Sequence, residues 1–378
     1  MIPCTAFVRG IRLPLLVFFS ILALGSSAGV SPVSAEPILL GLYPPGPLAS
    51  PAVIETIAEV DTWLAPTGKR VTIAGTFVTV EDNPAYVPAE LEGAWKRGYV
   101  PFVNFKSTHT TADIADGLVD GPIRSWAGQF ALWASHGQRR AFMAPLQEMN
   151  GYWNPYYGRP LPFQLAYRRI RQIFDEELLK RRVSHGAVSW VFAANGWSRP
   201  GDEFERYYPG PDLVDIVSLS GYNFGGCPGP SAVWDTFDTA LKPYLDRVPA
   251  MAPGKPIFIG ETGTVAVQAR GGGDKNRWLM DLFTRVTTIP NLRAIVYLNT
   301  SEIRSTLPAC PTGADYRLHV PGTSLWPGFW NAMAATPNYV YWPPDSPQMQ
   351  QLFGGGPTKR GDGAALEPPG AQRAPAPR

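Results

Sequence analysis

The chain has 378 residues, with 33 Lys and Arg against 31 Asp and Glu, 12% aromatic residues and 12 Trp. No basic stripe suited to nucleic acid appears, and the four histidines, His109, His136, His185 and His319, lack ligand spacing, so no metal site is indicated. Past the first 35 residues nothing approaches the roughly 20 consecutive apolar residues of a membrane helix.

Residues 1–35 read as an export leader. Arg9 and Arg12 give a positive start, residues 13–24 an apolar stretch too short to span a bilayer, and Val33-Ser34-Ala35 a small-residue cleavage signature. A mature chain starting after Ala35 is expected to be secreted or periplasmic, with no membrane anchor and with charges balanced at 31 against 31. Cys4 leaves with the leader. Cys227 and Cys310 remain, and an even pair in an oxidising compartment is compatible either with a disulfide or with two buried thiols.

Eight apolar, β-branched runs follow, at 38–43, 70–77, 99–105, 140–146, 187–193, 214–220, 256–260 and 293–298. Helix-like periodic segments alternate with them, at 52–64, 89–97, 121–135, 164–182, a short 203–208, 231–248, 275–289 and 326–335. In 164–182, Leu165, Ile170, Ile173, Phe174 and Leu178 form one apolar stripe, with Arg168, Arg171, Arg181 and Arg182 mostly off it. Asp120 before Gly121-Pro122 reads as an N-cap, and Gly137 as the stop of that helix. Continuous apolar strands alternating with amphipathic helices imply a parallel sheet covered on both faces, and eight such units close into a single (β/α)8 TIM barrel of the α/β class, over residues 36–353. Residues 354–378 are Gly, Pro, Ala and charge with almost no large apolar side chain, so they are expected to stay disordered.

Two glutamates close apolar runs on this barrel. Glu148 follows the fourth, in Phe142-Met-Ala-Pro-Leu-Gln-Glu-Met-Asn-Gly151; Glu261 follows the seventh, in Pro256-Ile-Phe-Ile-Gly-Glu-Thr-Gly263. Carboxyl ends of barrel strands face the active site, so both carboxylates are expected in one cleft. One carboxyl holding a proton and one ionised are what glycosidic bond cleavage requires. With an ionised Glu261 and a protonated Glu148, a bell-shaped pH profile is expected, its acidic limb set by Glu261 and its basic limb by Glu148.

The segment Pro145-Leu-Gln-Glu-Met-Asn-Gly151, continuing Tyr152-Trp153-Asn154-Pro155-Tyr156, resembles the acid/base motif of glycoside hydrolase family 26, the β-mannanase family of clan A. Tyr207-Tyr-Pro-Gly-Pro-Asp-Leu-Val-Asp-Ile216 through Ser220-Gly-Tyr-Asn223 is similar to that family's approach to its sixth strand. The resemblance implies a retaining endo-β-glycosidase with Glu148 as acid/base, Glu261 as nucleophile and Tyr222 holding the nucleophile. The chain departs from the family at Gln147, where histidine is usual, at Asn104-Phe105-Lys106, where the third strand commonly ends Trp-His, and at Tyr297-Leu298-Asn299, where a tryptophan is common.

By position, Gln147, Trp153, Tyr156 and Tyr157 beside the acid/base, Asn195 and Trp197 after the fifth strand, Tyr222 and Asn223 on the sixth and Tyr297 on the eighth are expected to bind substrate. Tyr207 and Tyr208 are expected to shape the turn before strand six. The resemblance implies a β-linked polysaccharide as partner, most simply a β-1,4-mannan, and the chain is expected to act as a monomer without a cofactor. Two other readings remain open: a clan A hydrolase of β-1,4- or mixed-linkage glucan or β-1,3-xylan, and a non-catalytic polysaccharide-binding or assembly protein on the same barrel.

Overall fold

The structure, a computed structural model, describes residues 36–225, 233–266, 273–302, 314–319 and 324–353. The leader, Cys227, Cys310 and the tail 354–378 lie outside the described residues.

Eight parallel strands run in chain order: β1 (Ile38–Tyr43), β2 (Ile73–Thr79), β3 (Val100–Lys106), β4 (Ala141–Pro145), β5 (Val188–Asn195), β6 (Ile216–Asn223), β7 (Ile257–Thr264) and β8 (Leu292–Leu298). Each pairs with the next, and β8 returns to β1 from Leu39↔Ala294 to Tyr43↔Leu298. The sheet is therefore closed, a (β/α)8 barrel. These strands are apolar on both faces because one face fills the barrel and the other meets helices. Inside, Phe102, Phe142 and Phe258 meet at ring separations of 5.2 to 6.4 Å, and Phe353 closes on Phe142 at 4.7 Å.

The covering helices are α1 (Pro51–Leu64), α2 (Val87–Trp95), α3 (Thr111–Ala115), α4 (Asp120–Ala134), α5 (Pro160–Lys180), α6 (Phe237–Ala240), α7 (Lys242–Leu245), α8 (Val248–Met251), α9 (Lys275–Arg285), α10 (Pro327–Ala335) and α11 (Pro347–Leu352). Several expectations change. The described part of the helix expected at 231–248, from residue 233 on, is not one helix, because Leu241 leaves helical geometry (φ −132°) and Pro243 and Pro249, lacking an N–H, open α7 and α8 instead. The 203–208 segment is a single 3-10 turn, Phe204–Tyr207. α3 was not anticipated, although Thr110 and Asp113 form a capping box there.

Asp120 does not cap α4. Val119 holds the cap position, and the Asp120 carboxylate grips Arg169 of α5 at 2.5 and 2.7 Å. On α5, Leu165 is exposed, whereas Arg171 is buried with its guanidinium 5.7 Å from the Trp190 ring. The inner face of that helix is thus rotated from the simple apolar stripe, and Arg171 joins it by laying its stem and flat head on an aromatic surface.

Candidate active site

Neither glutamate follows the simple alternation of its strand. β4 ends at Pro145, three residues before Glu148. Leu146 and Glu148 both adopt the left-handed region, each at φ 54°. That conformation costs a side-chain-bearing residue roughly 1–2 kcal/mol and persists only when its surroundings over-determine it. They do so here through hydrogen bonds on both flanks: Leu146 N to Phe105 O and Glu148 N to Ala193 O, both at 2.8 Å, with the Gln147 and Glu148 carbonyls accepting from Tyr156 Oη at 3.1 Å and Asn154 Nδ2 at 2.9 Å. The double twist lifts the Glu148 carboxylate into the barrel mouth.

Glu261 uses a different device. Leu219 pairs with Ile259 but Ser220 pairs with Glu261, so Gly260 is an extra residue on β7. The bulge reverses the parity of the strand beyond it and turns Glu261 toward the same interior as Phe258. A side chain at 260 would crowd β6, since a Cβ there would come within 2.0 Å of Ser218 Oγ and force that hydroxyl to move.

Strand β6 then ties the two carboxylates together. Ser220 Oγ donates to Glu148 Oε1 at 2.7 Å, and Tyr222, two residues on and on the same face, donates its hydroxyl to Glu261 Oε2 at 2.8 Å. Glu148 also accepts from Asn195 Nδ2 (2.8 Å) and Trp153 Nε1 (2.9 Å). Trp153 reaches back because Gly151 leaves room, a Cβ there falling 2.3 Å from the indole. On β3, Asn104 Nδ2 donates to Glu261 Oε1 at 2.7 Å and to Tyr43 Oη at 2.9 Å. Two residues further along, Lys106 carries its ammonium 4.6 Å from the Phe77 ring centroid.

Burial separates the pair. Glu148 is partly exposed, whereas Glu261 is 9% exposed. Burial first, then the charge of Glu148, pushes the Glu261 carboxyl up to about 8, while Lys106, Tyr222 and Asn104 act in the opposite direction. This alters the pH expectation drawn from sequence. Glu261 retains a proton up to about pH 8.

The other expected binding residues divide. Trp153 and Trp197 are about half exposed beside the mouth, and Asn195 and Tyr222 contact the glutamates. Gln147 is buried, its Oε1 without a hydrogen-bond partner among the described residues, as is Asn104 Oδ1. Three residues are not on the cleft surface. Tyr156 is buried and braces the Gln147 carbonyl from below. Asn223 spends its amide on Thr264 Oγ1 and on the amides of Gly225 and Asp235. Tyr297 points outward, its ring 6.1 Å from Phe283 of α9 and its hydroxyl donating to the Tyr316 carbonyl at 2.8 Å. Asn104 and Ser220 were given no role in the site from sequence, although the first stood among the departures on the third strand and the second opened the sixth-strand match two residues before Tyr222.

Five exposed aromatics surround the mouth: Phe77 near the end of β2, Tyr152 and Trp153 after Glu148, Trp197 after β5 and Phe224 after β6. Tyr43 stacks under Phe77 at 4.8 Å, and the Arg199 guanidinium lies 4.2 Å from the Tyr152 ring. Flat, partly exposed rings thus follow or lie near the ends of several strands of the barrel that carries the carboxylate pair.

No protein-family model matches the chain. It is 24% identical over 300 residues to endoglucanase H of Acetivibrio thermocellus, an alignment spanning 76% of this chain but only 31% of that protein, so it covers about a third of the relative's length. Among solved structures it is similar to a β-mannanase from a symbiotic protist of the termite Reticulitermes speratus, with TM-score 0.53, 13% identity, and 81% and 89% of the two chains covered. A modular endo-β-1,4-mannanase of Cellulomonas fimi, described among glycoside hydrolase family 26 mannanases, gives TM-score 0.52 at 16% identity over 81% and 72%. The likeness to these structures establishes the shared (β/α)8 fold.

Proposed function

We propose that the chain is a retaining endo-β-glycosidase acting on a β-linked polysaccharide, most simply a β-1,4-mannan. One observation carries the reading: Ser220 and Tyr222, neighbours on one face of β6, donate separately to Glu148 and Glu261, which puts two unequally buried carboxyls in one cleft. In the first step Glu148 gives its proton to the glycosidic oxygen while an Oε of Glu261 bonds to the anomeric carbon, and the bond to the leaving sugar breaks. In the second, Glu148 takes a proton from water, whose oxygen displaces Glu261 and restores both carboxyls. Tyr222 and Asn104 hold the Glu261 carboxylate in line for attack. Aromatic rings on both flanks of the pair suit a polymer threaded through the cleft, and the buried acceptors Gln147 Oε1 and Asn104 Oδ1 suit donation from sugar hydroxyls.

The curated relative is an endoglucanase and the two solved structures named above are mannanases, so a β-glucan or β-xylan substrate stays within this reading. The leader features of residues 1–35 support export to the cell exterior or periplasm. Incubating the purified mature chain with β-mannan, mixed-linkage β-glucan and β-1,3-xylan tests the proposal. Cleavage of at least one, with the β-anomer formed first by proton NMR, is expected. An initial α-anomer contradicts double displacement, and no product from any glycan points to the non-catalytic binding protein.

A further inference from the structure

The opposite end of the barrel carries a second concentration of chemistry. A groove of about 420 Å³ opens there between the chain entering β4, the chain entering β5 and the segment ending at Phe353. Four guanidinium groups line it, from Arg139, Arg140, Arg181 and Arg182. Arg139 is neutralised by Glu92, with Nε at 2.8 Å. The other three form no ion pair among the described residues, Arg181 and Arg182 standing exposed on the wall.

Arg140 is the unusual member. It is only 8% exposed, its guanidinium lies 5.3 Å from the Phe353 ring centroid, and its Nε donates to the Gln138 carbonyl at 3.3 Å. Asp345 is the acid it senses, beyond ion-pair distance, and burial holds its pKa below the usual arginine value. A buried cation is costly unless a counter-charge compensates it, and two further guanidiniums without an ion pair among the described residues line the same cavity. Relief by an anion is the direct physical remedy. The guanidinium fork matches the oxygens of a carboxylate or phosphate in bidentate fashion. A bare ion would leave most of the groove unfilled, and its volume falls in the range of small-molecule sites. Val183, Ala187 and Phe353 supply an apolar floor for the rest of a ligand.

We propose that this groove is a binding site, remote from the glutamate pair, for a small organic oxyanion about the size of one sugar, bearing a carboxylate or a phosphate ester. Arg140 binds the charge from the floor while Arg181 and Arg182 close on it from the wall.

Titration calorimetry of the full chain at constant ionic strength, with sodium glucuronate, glucose 6-phosphate, inorganic phosphate and glucose as probes, tests it. At least one of the two sugar anions should bind saturably and more tightly than inorganic phosphate, and glucose should not bind. Which of the two binds identifies the charged group. The double variant Arg181→Gln/Arg182→Gln, altered only at exposed positions, should weaken that binding at least tenfold, as should Arg140→Met, which keeps an apolar stem on Phe353. Glu261→Gln should leave it unchanged. The site is overturned if neither sugar anion binds, if glucose binds equally well, if binding survives in the double variant, or if it disappears with Glu261→Gln.

Discussion

The turn after β4 and the bulge in β7 bring a glutamate to the same place by opposite means. Glu148 leaves its strand altogether, through two left-handed residues, and remains partly open to solvent under three donors. Glu261 stays within its strand, is turned inward by one extra glycine, and is buried with two donors. The contrast matches what the two chemical roles demand. A group that passes protons to a leaving oxygen and later takes one from water needs access, whereas an attacking oxygen gains from being fixed and desolvated. The burial that fixes Glu261 also raises its proton affinity, so positioning and ionisation oppose each other at that one residue.

Removing the buried member should have the largest effect. Glu261→Gln is expected to lower turnover by about 10⁴-fold or more, and also to stabilise the fold at alkaline pH. The sign follows from the raised value. Between the ordinary 4.5 and about 8 the unfolded chain releases a proton that the folded chain keeps, so stability falls as pH rises through that window and stays reduced above it. The amide lacks this penalty. Melting curves at pH 4 and pH 9 should show the variant gaining on the wild type only at pH 9, and equal differences at both would remove the burial cost from the picture.

Truncating the exposed member should cost less and depend on the leaving group. Glu148→Ala is expected to slow polysaccharide cleavage roughly 10²- to 10⁴-fold, yet slow glycosylation by an activated aryl glycoside far less. Equal losses on both substrates would deny Glu148 a proton-donating role. Tyr222→Phe should come next: the lost hydrogen bond to a charged acceptor is worth about 1.5–3 kcal/mol, or roughly 10- to 100-fold in kcat. KM should hardly change, and a loss confined to KM would make Tyr222 a sugar contact instead.

The smallest effect should come from Lys106. Its charge favours ionised Glu261, so Lys106→Met should let the pair hold its proton more tightly. The alkaline limb of kcat/KM should then move up in pH while its plateau drops several-fold, because Glu261 is ionised less of the time. An unmoved limb would mean that the ammonium does not act on the pair.

Sequence made the barrel legible because eight apolar strands and their intervening amphipathic helices carry two distinct periodicities. β1, the end of β8 and the start of α9 coincide with the expected positions, and the remaining strand ends shift by one to four residues. Where local chemistry competes with periodicity, the pattern misleads: prolines split the expected 231–248 helix, and Arg171 packs where charge would be expected to face solvent. At the site, the two strand-end carboxylates and Tyr222 stood out as residues. The bulge at Gly260 and the turn at 146–148 did not, since both depend on pairing with neighbouring strands that no local pattern records. Tyr156, Asn223 and Tyr297 were expected in the cleft from chain position alone, which cannot tell an inward side chain from one facing a helix.

The most direct test of the Glu148–Glu261 assignment is to trap the intermediate. A 2-deoxy-2-fluoro glycoside of the sugar the chain hydrolyses, carrying an activated leaving group, should label the protein once per molecule. Peptide mass mapping should place that label on Glu261, inside the β7 segment 257–264, and Glu148→Ala should still accept it. A label on Glu148 or on any other residue would contradict the division of roles between the buried and the exposed carboxyl.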